Sequence, residues 1–280
     1  FADVTTGRFH VASVDGPDSA DRLLTELYRF RPVEVLPGPD LRTDDGLLDR
    51  LRDRLDSTFT LHTAEAFAPG RAGHTVREQF GEETADSVGL DDEGAIQAAG
   101  AILSYVEETG AGVLASMTRL QAHGSDDHVE LDATTQRNLE LTETMQGERS
   151  GTVLATIDHT ETSAGRRLLG EWLQRPRRSV EELSRRHSAV EALAAAAIAR
   201  ERLQELLDGC ADLERLASRA ASGTADARDL RAGTETLAVL PDVKELVAGT
   251  GQLADSSLPD ILGRPDSDRV ADLQRELDAA

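Results

Sequence analysis

Apolar and polar positions along this 280-residue chain follow two different rhythms. Up to about residue 110, short β-rich runs alternate with segments of helical spacing. The runs on either side of Thr6-Gly7-Arg8 predict antiparallel strands joined by a hairpin. Leu23, Leu24, Leu27, Tyr28 and Phe30 then recur at helical spacing over 18–30, with Asp18 or Ser19 as the N-cap. Val33 to Leu36 predicts a short strand closed by Pro37-Gly38-Pro39. A second amphipathic helix is expected from Leu47 to Leu55, and a strand at Phe59-Thr60-Leu61-His62. Helices at about 75–86 and 93–109 complete the alternation, the last capped by Gly110. This pattern predicts an α/β domain.

From Leu114 the strand signals nearly vanish. Residues 121–128 form a polar linker, and the pattern beyond is helix after helix. Leu168, Leu169, Trp172 and Leu173 make one apolar stripe, with Trp172 as a large buried anchor, and Arg175-Pro176 ends it. Ser179 and Glu182 have the spacing of a capping box. The helix they open should bury Leu183, His187, Val190 and Leu193, which makes His187 a core histidine. Leu213, Leu216 and Ala220 mark another helix closed near Gly223, and Leu230, Leu237 and Leu240 one that stops at Pro241. Val270, Leu273 and Leu277 open a last helix. The expected organisation is an α/β domain over 1–113, a linker over 114–128 and a helical domain over 129–280. Both terminal elements run to the ends of the chain, so both domains are expected to be truncated there.

Charge adds the most to this picture. Fifty-two acidic residues stand against thirty basic ones, a net −22, with a pI near 4.6. Lys244 is the single lysine among those thirty, and aromatic residues make up 3%. Acid excess with scarce lysine points to a surface adapted to very high salt. At about 1 M salt the Debye length is roughly 3 Å, which screens self-repulsion that would loosen the fold in dilute buffer. The same charge argues against a generic nucleic-acid surface, because phosphate contacts need a basic face. The longest apolar run, Ala192 to Ala199, is far short of the roughly 20 residues that cross a bilayer. No secretory leader is visible. Cys210 is the only cysteine, so neither an intrachain disulfide nor a cysteine zinc cluster is available. The expectation is a cytoplasmic protein without membrane partners.

Local chemistry is sparse. His123-Gly124-Ser125-Asp126-Asp127-His128 could hold a divalent metal, but the composition reads better as an acidic linker. Cys210, between Gly209 and Ala211, reads as a small core residue. One stretch runs against the overall charge. Arg166, Arg167, Arg175, Arg177, Arg178, Arg185 and Arg186 stand against Glu171, Glu181 and Glu182, a local charge of +4. Two roles are open to it: docking of an acidic domain of the same protein or of DNA, and helix-face ion pairs worth about 0.3–0.5 kcal/mol each. Internal docking is the favoured reading.

Three stretches, in this order, resemble the MutS family of DNA mismatch-repair proteins. The first is Leu131-Asp132-Ala133-Thr134-Thr135-Gln136-Arg137-Asn138-Leu139-Glu140-Leu141. The second is Leu154-Ala155-Thr156-Ile157-Asp158-His159-Thr160, continuing through Leu168 to Trp172-Leu173-Gln174-Arg175-Pro176. The third is Asp212-Leu213-Glu214-Arg215-Leu216, followed by Arg228-Asp229-Leu230. Asp3-Val4-Thr5-Thr6-Gly7-Arg8-Phe9 is similar to a strand-turn-strand of the family's connector domain. The resemblance implies an α/β RNase H-like connector followed by an all-α helical core, or lever. It implies transmission of ATP-dependent changes between ATPase and DNA-binding domains of a parent protein. That parent would use ATP and Mg, form a homodimer on mismatched duplex DNA, and engage a MutL-type partner.

The residues also make sense by themselves. Asp132 can cap the helix of Arg137, Asn138, Leu139 and Glu140, Pro176 turns the chain, and Asp212 and Arg215 flank inward leucines. Their expected roles are structural, and no residue is assigned to catalysis, cofactor or metal. The phosphate loop Gly-x-x-x-x-Gly-Lys-Ser/Thr is not in this sequence, since Lys244 lies between Val243 and Glu245. This chain is therefore expected to be no enzyme and to hold no cofactor. Two rival readings are a metal-dependent RNase H-like nuclease, with Asp3 and partners such as Glu34, Asp44 or Asp45, and a stand-alone helical interaction scaffold.

Overall fold

In the computed structural model, which describes residues 1–43, 45–82, 92–110, 112–122, 128–129, 131–263 and 267–278, the expected hairpin forms. β1 (Ala2–Asp3) and β2 (Arg8–Val11) are antiparallel, with Ala2 opposite Phe9 and Asp3 opposite Arg8. Gly7 sits in the turn at φ 69°, a left-handed conformation that costs glycine nothing. Asp3 organises this turn: its carboxylate accepts from Thr5 N at 2.9 Å, Thr5 Oγ1 at 2.7 Å and Thr6 Oγ1 at 2.7 Å. β5 (Arg119–Ala122) lies parallel to β2 on its other side. β3 (Glu34–Val35) and β4 (Thr58–Phe59) form a separate two-stranded parallel sheet.

Among the described residues, the α-helices that accompany these strands are α1 (Ser19–Phe30), α2 (Asp45–Arg54), α3 (Pro69–Phe80) and α4 (Glu93–Thr109). α3 starts at Pro69 rather than near 75, because proline in the first turn lacks only an N–H the helix would leave unpaired. Residues 83–86, the end expected for it, lie outside the described residues. β4 stops at Phe59, short of the expected His62. His62 instead turns inward, its Nε2 3.4 Å from Ser104 Oγ and its carbonyl accepting from Arg42 Nη2 at 2.7 Å. The core joins sheet and helices through Phe9, Val76, Phe80, Leu103, Val106, Met117 and Leu120. α3 and α4 approach so closely that a Cβ on Gly100 would lie 2.4 Å from Ala72 Cα.

The chain divides into two units. The first comprises Phe1–Ser125, Leu131–Leu139 and Ala217–Thr224. It therefore includes α5 (Ala133–Asn138) and the second half of α10 (Leu213–Ala221). The second unit is helical: α6 (Val153–Ile157), α7 (Ser163–Gln174), α8 (Val180–Ala195), α9 (Ala197–Leu207), α11 (Ala227–Gly249), α12 (Gly251–Ala254), α13 (Leu258–Leu262) and α14 (Ser267–Asp278). Its core is Ala192, Ala196, Ala199, Val247 and Leu253. No described helix is long and apolar enough to cross a membrane.

Three helix readings are corrected. α8 buries Ala189 and Ala192, while His187 is exposed and Val190 is 64% exposed. Small side chains let the neighbouring helices come close, so the alanine line, rather than the larger Val190, faces inward. His187 is accordingly no core histidine. The Ser179 capping box is half formed: Ser179 Oγ accepts from Glu182 N at 3.2 Å, but the Glu182 carboxylate is taken by Arg186 and Arg185. α11 does not stop at Pro241 but runs on to Gly249. Val243 and Val247, 5% and 2% exposed, gain burial that outweighs the one hydrogen bond proline cannot make.

Candidate functional site: an arginine and carboxylate network

Several charged residues of the second unit meet near the start of α7. Thr162 caps this helix, its hydroxyl accepting from Gly165 N at 3.0 Å. Arg167, one turn in, makes a fork to Asp212: Nη1 donates to Oδ2 at 2.6 Å and Nη2 to Oδ1 at 3.1 Å. The same Nη2 donates to Glu214 Oε2 at 2.6 Å. Asp212 directly precedes α10, and its Oδ1 also accepts from Arg215 N. The Arg167 and Asp212 side chains are 19% and 10% exposed, so solvent screens this pair little. Hydrogen bonds from Arg167 hold the Asp212 carboxyl below its ordinary value despite burial. The same bonds to Asp212 and Glu214 raise the Arg167 guanidinium further above its own.

Two smaller groups flank it. Asp158 accepts from Thr160 N and Oγ1 and pairs with Arg166 Nε at 2.9 Å. The Thr160 bonds, with Arg166 adding to them, hold the Asp158 carboxyl low. Arg186 lies over the Trp172 ring, 3.7 Å from its centroid, and pairs with Glu182 at 3.1 Å. Trp172 is 41% exposed, so it is no buried anchor: one ring face is covered by a guanidinium instead of a core. Leu168 on the same stripe is equally open, while Leu173 is half-buried.

The other motif residues close local structure. Asp132 caps α5, accepting from Thr135 N at 2.6 Å, and Arg137 and Asn138 end that helix. Leu139 is exposed. Glu140 has φ 47°, its Oε1 accepts from Met145 N, and its carbonyl accepts from Val153 N at 3.0 Å. Pro176 O accepts from Val129 N at 2.8 Å, and Arg177 pairs with His128 in an isolated bridge. Leu213 is half-buried and Arg178 exposed, while Arg175 is half-buried beside Pro176.

The described nuclease candidates, Asp3 and Glu34, each serve local hydrogen bonds. Both Asp3 oxygens serve the hairpin turn; burial pushes its carboxyl up, but the Thr5 and Thr6 hydrogen bonds outweigh this and lower it. Glu34 accepts from Tyr105 OH at 2.8 Å and from the Thr60 hydroxyl. Asp44, the Asp45 side chain and residues 123–127 of the candidate histidine site lie outside the described residues. Among the described residues no group of three or more metal-ligating side chains comes together. Cys210 is half-buried, its Sγ donating to Leu206 O at 3.4 Å. The sequence reading missed a full capping box, Asp226 with Asp229, which opens α11.

Sequence comparison decides what this arrangement belongs to. Residues 1–118 match MutS domain II and residues 134–279 match MutS domain III. The chain belongs to the MutS family. It is 61% identical over 99% of its length to DNA mismatch repair protein MutS 1 of Haloarcula marismortui, covering 30% of that protein. It is 55% identical over 99% to MutS 1 of Halobacterium salinarum, covering 32%. A relative from Symbiobacterium thermophilum, DNA mismatch repair protein MutS, shares 37% over 86% of this chain. The chain thus spans about a third of the length of the curated relatives it matches, and the two more similar ones come from halophiles.

Proposed function

We propose that this chain is the connector and lever portion of a mismatch-repair recognition protein, passing ATP-dependent changes between the ATPase and DNA-binding domains of the whole protein. The observation that carries this reading is the match to two MutS regions along nearly the whole chain. Residues 1–113 are the connector, with an RNase H-like fold, 114–128 the linker, and 129–280 the lever. The parallel β2–β5 and antiparallel β1–β2 pairings support that fold. The motif residues act structurally, as the caps and ion pairs around Asp132, Glu140, Asp158 and Asp212 suggest. Arg166, Arg167, Arg185 and Arg186 have carboxylates within their own unit, which leaves the Arg177–Arg178 end of the cluster for docking an acidic domain of the same protein. ATP and Mg act in the whole protein, as do the homodimer, mismatched duplex DNA and a MutL-type partner; this chain holds none of the cofactors. The setting is cytoplasmic.

The test is fluorescence anisotropy of the isolated chain with matched and mismatched duplexes, at the lowest salt that keeps the fold. Weak binding without mismatch preference is expected. Four phosphate contacts from the arginine cluster would lose about 3.6 log units of affinity per tenfold rise in salt. Submicromolar affinity, or a threefold preference for the mismatch, would show that connector or lever reads DNA itself.

A further inference from the structure

Within the second unit, α7 has one covered side and one open side. Gly170 is buried, and a Cβ built on it would lie 3.6 Å from Leu154 Cδ2, so α6 packs there. Leu168 and Trp172 stand one turn apart on the opposite side of the helix and are 42% and 41% exposed. Val190, one turn beyond Arg186 on α8, is open as well.

The Trp172 ring is already oriented. Arg186 covers one face of it at 3.7 Å, and Glu182 holds that guanidinium at 3.1 Å. A fixed ring buries a large area on contact while losing little freedom, which is why tryptophan and arginine dominate interface energies. This is also the single tryptophan of a chain with 3% aromatic residues. The charge beside the stripe is basic. Arg178, at the turn before α8, is exposed, and so is Arg185, although it lies 3.7 Å from Glu182.

We infer that Leu168, Trp172 and Val190 dock an amphipathic helix with acidic flanks, supplied by the same protein outside these 280 residues. The chain covers only 30% and 32% of two halophile relatives, so a partner of this kind has ample sequence to come from. A segment of charge +4 in a chain of −22 selects an acidic partner. A second copy fits poorly, because a two-fold contact would set this basic stretch against itself. In molar salt the Debye length is about 3 Å, so the apolar stripe carries the contact and the charges orient it. The inference rests on the docking role proposed above and names its partner. It is tested without DNA or nucleotide, so its failure is separable from failure of ATP-dependent transmission.

The experiment is hydroxyl-radical footprinting with mass spectrometry, applied to the 280-residue chain and to the whole protein in 3 M salt. Trp172 and Leu168 should oxidise at least fivefold more slowly in the whole protein. In the 280-residue chain their oxidation should be fast at every protein concentration. Arg178→Glu in the whole protein should speed Trp172 oxidation at least twofold at 0.5 M salt and hardly at all at 3 M. Fully buried Leu253 reports unfolding of the unit; where R178E exposes it, R178Q gives the same comparison. Equal oxidation in both proteins, or slow oxidation already in the 280-residue chain, overturns the inference. Slowing with concentration in that chain assigns the face to a second copy and overturns it too. Protection indifferent to R178E at both salt concentrations overturns the acidic flanks.

Discussion

The two units are held together by different means. The first packs large side chains, Phe9, Phe80, Leu103 and Met117, between a sheet and helices α3 and α4. Its helices α1 and α3 have no side-chain cap hydrogen bond, whereas α4 and α5 start on Asp92 and Asp132. The second unit has an alanine-rich core, and α6, α7, α8 and α11 each start on a capping side chain: Thr152, Thr162, Ser179 and Asp226. The units differ in the size of the side chains they bury, while capping side chains serve helices of both. The contrast matters for a chain of net charge −22, because salt screens exposed charges but leaves partly buried pairs and packed cores nearly untouched.

The largest expected effect is in the first core. Leu103 is fully buried among side chains fixed by both sheet and helix, so Leu103→Ala should cost about 2–5 kcal/mol. Leu253 is equally buried, but it sits on the four-residue helix α12 beside alanines, Val247 and partly buried leucines, and so short an element can close on a vacancy. Leu253→Ala should therefore fall near the lower end of that range. Denaturant unfolding read separately in each unit by hydrogen exchange is the measurement. Equal costs would erase the contrast in packing.

Next comes Arg167→Gln, which leaves Asp212 without its fork and should destabilise the second unit by about 2–3 kcal/mol. The pH dependence has a definite sign. The folded carboxyl of Asp212 titrates below its ordinary 3.8, so the stability it contributes is complete above that value and is lost as pH falls through the depressed one. Arg167 stays charged throughout. Circular dichroism in acid should show the second unit of the Gln variant losing less stability between pH 5 and 2 than the parent. An equally steep profile would assign the acid response to other carboxylates.

What the sequence made legible follows the range of each interaction. The hairpin was readable because alternation and Gly7 act within a few residues, and so were the Asp132 and Ser179 caps. The Arg167 fork was not, because its partners lie 45 and 47 residues away. The motif residues could be named from the family resemblance, but not which of them pair. Hydropathy ranks Val190 and Trp172 above alanine, whereas close helix approach selects Ala189, Ala192 and Ala196. Pro241 reads as a stop only while the burial of Val243 and Val247 beyond it is unknown. Asp226-Ala227-Arg228-Asp229 has capping-box spacing, but with aspartate where the usual signature has glutamate or glutamine.

The smallest expected effects lie on α11, where two polar features sit five residues apart and should differ in their response to salt. Asp226 accepts from Arg228 N and Asp229 N at 2.8 and 2.9 Å, and Asp229 returns a bond to Asp226 N. Asp226→Ala should cost about 1 kcal/mol, because two backbone donors lose a fixed acceptor. This loss concerns short-range hydrogen bonds and should be nearly the same at 0.5 and 3 M salt. Arg231 pairs with Glu235 at 2.8 Å, yet their side chains are 80% and 65% exposed. Such an exposed pair on a helix face contributes little even in dilute buffer, and molar salt screens it further. Arg231→Gln should therefore be neutral at 3 M and barely measurable at 0.5 M. Thermal melts of both variants at the two salt concentrations decide the point: a cap whose cost vanishes in high salt would place the second unit's stability in screened charge rather than in local hydrogen bonding.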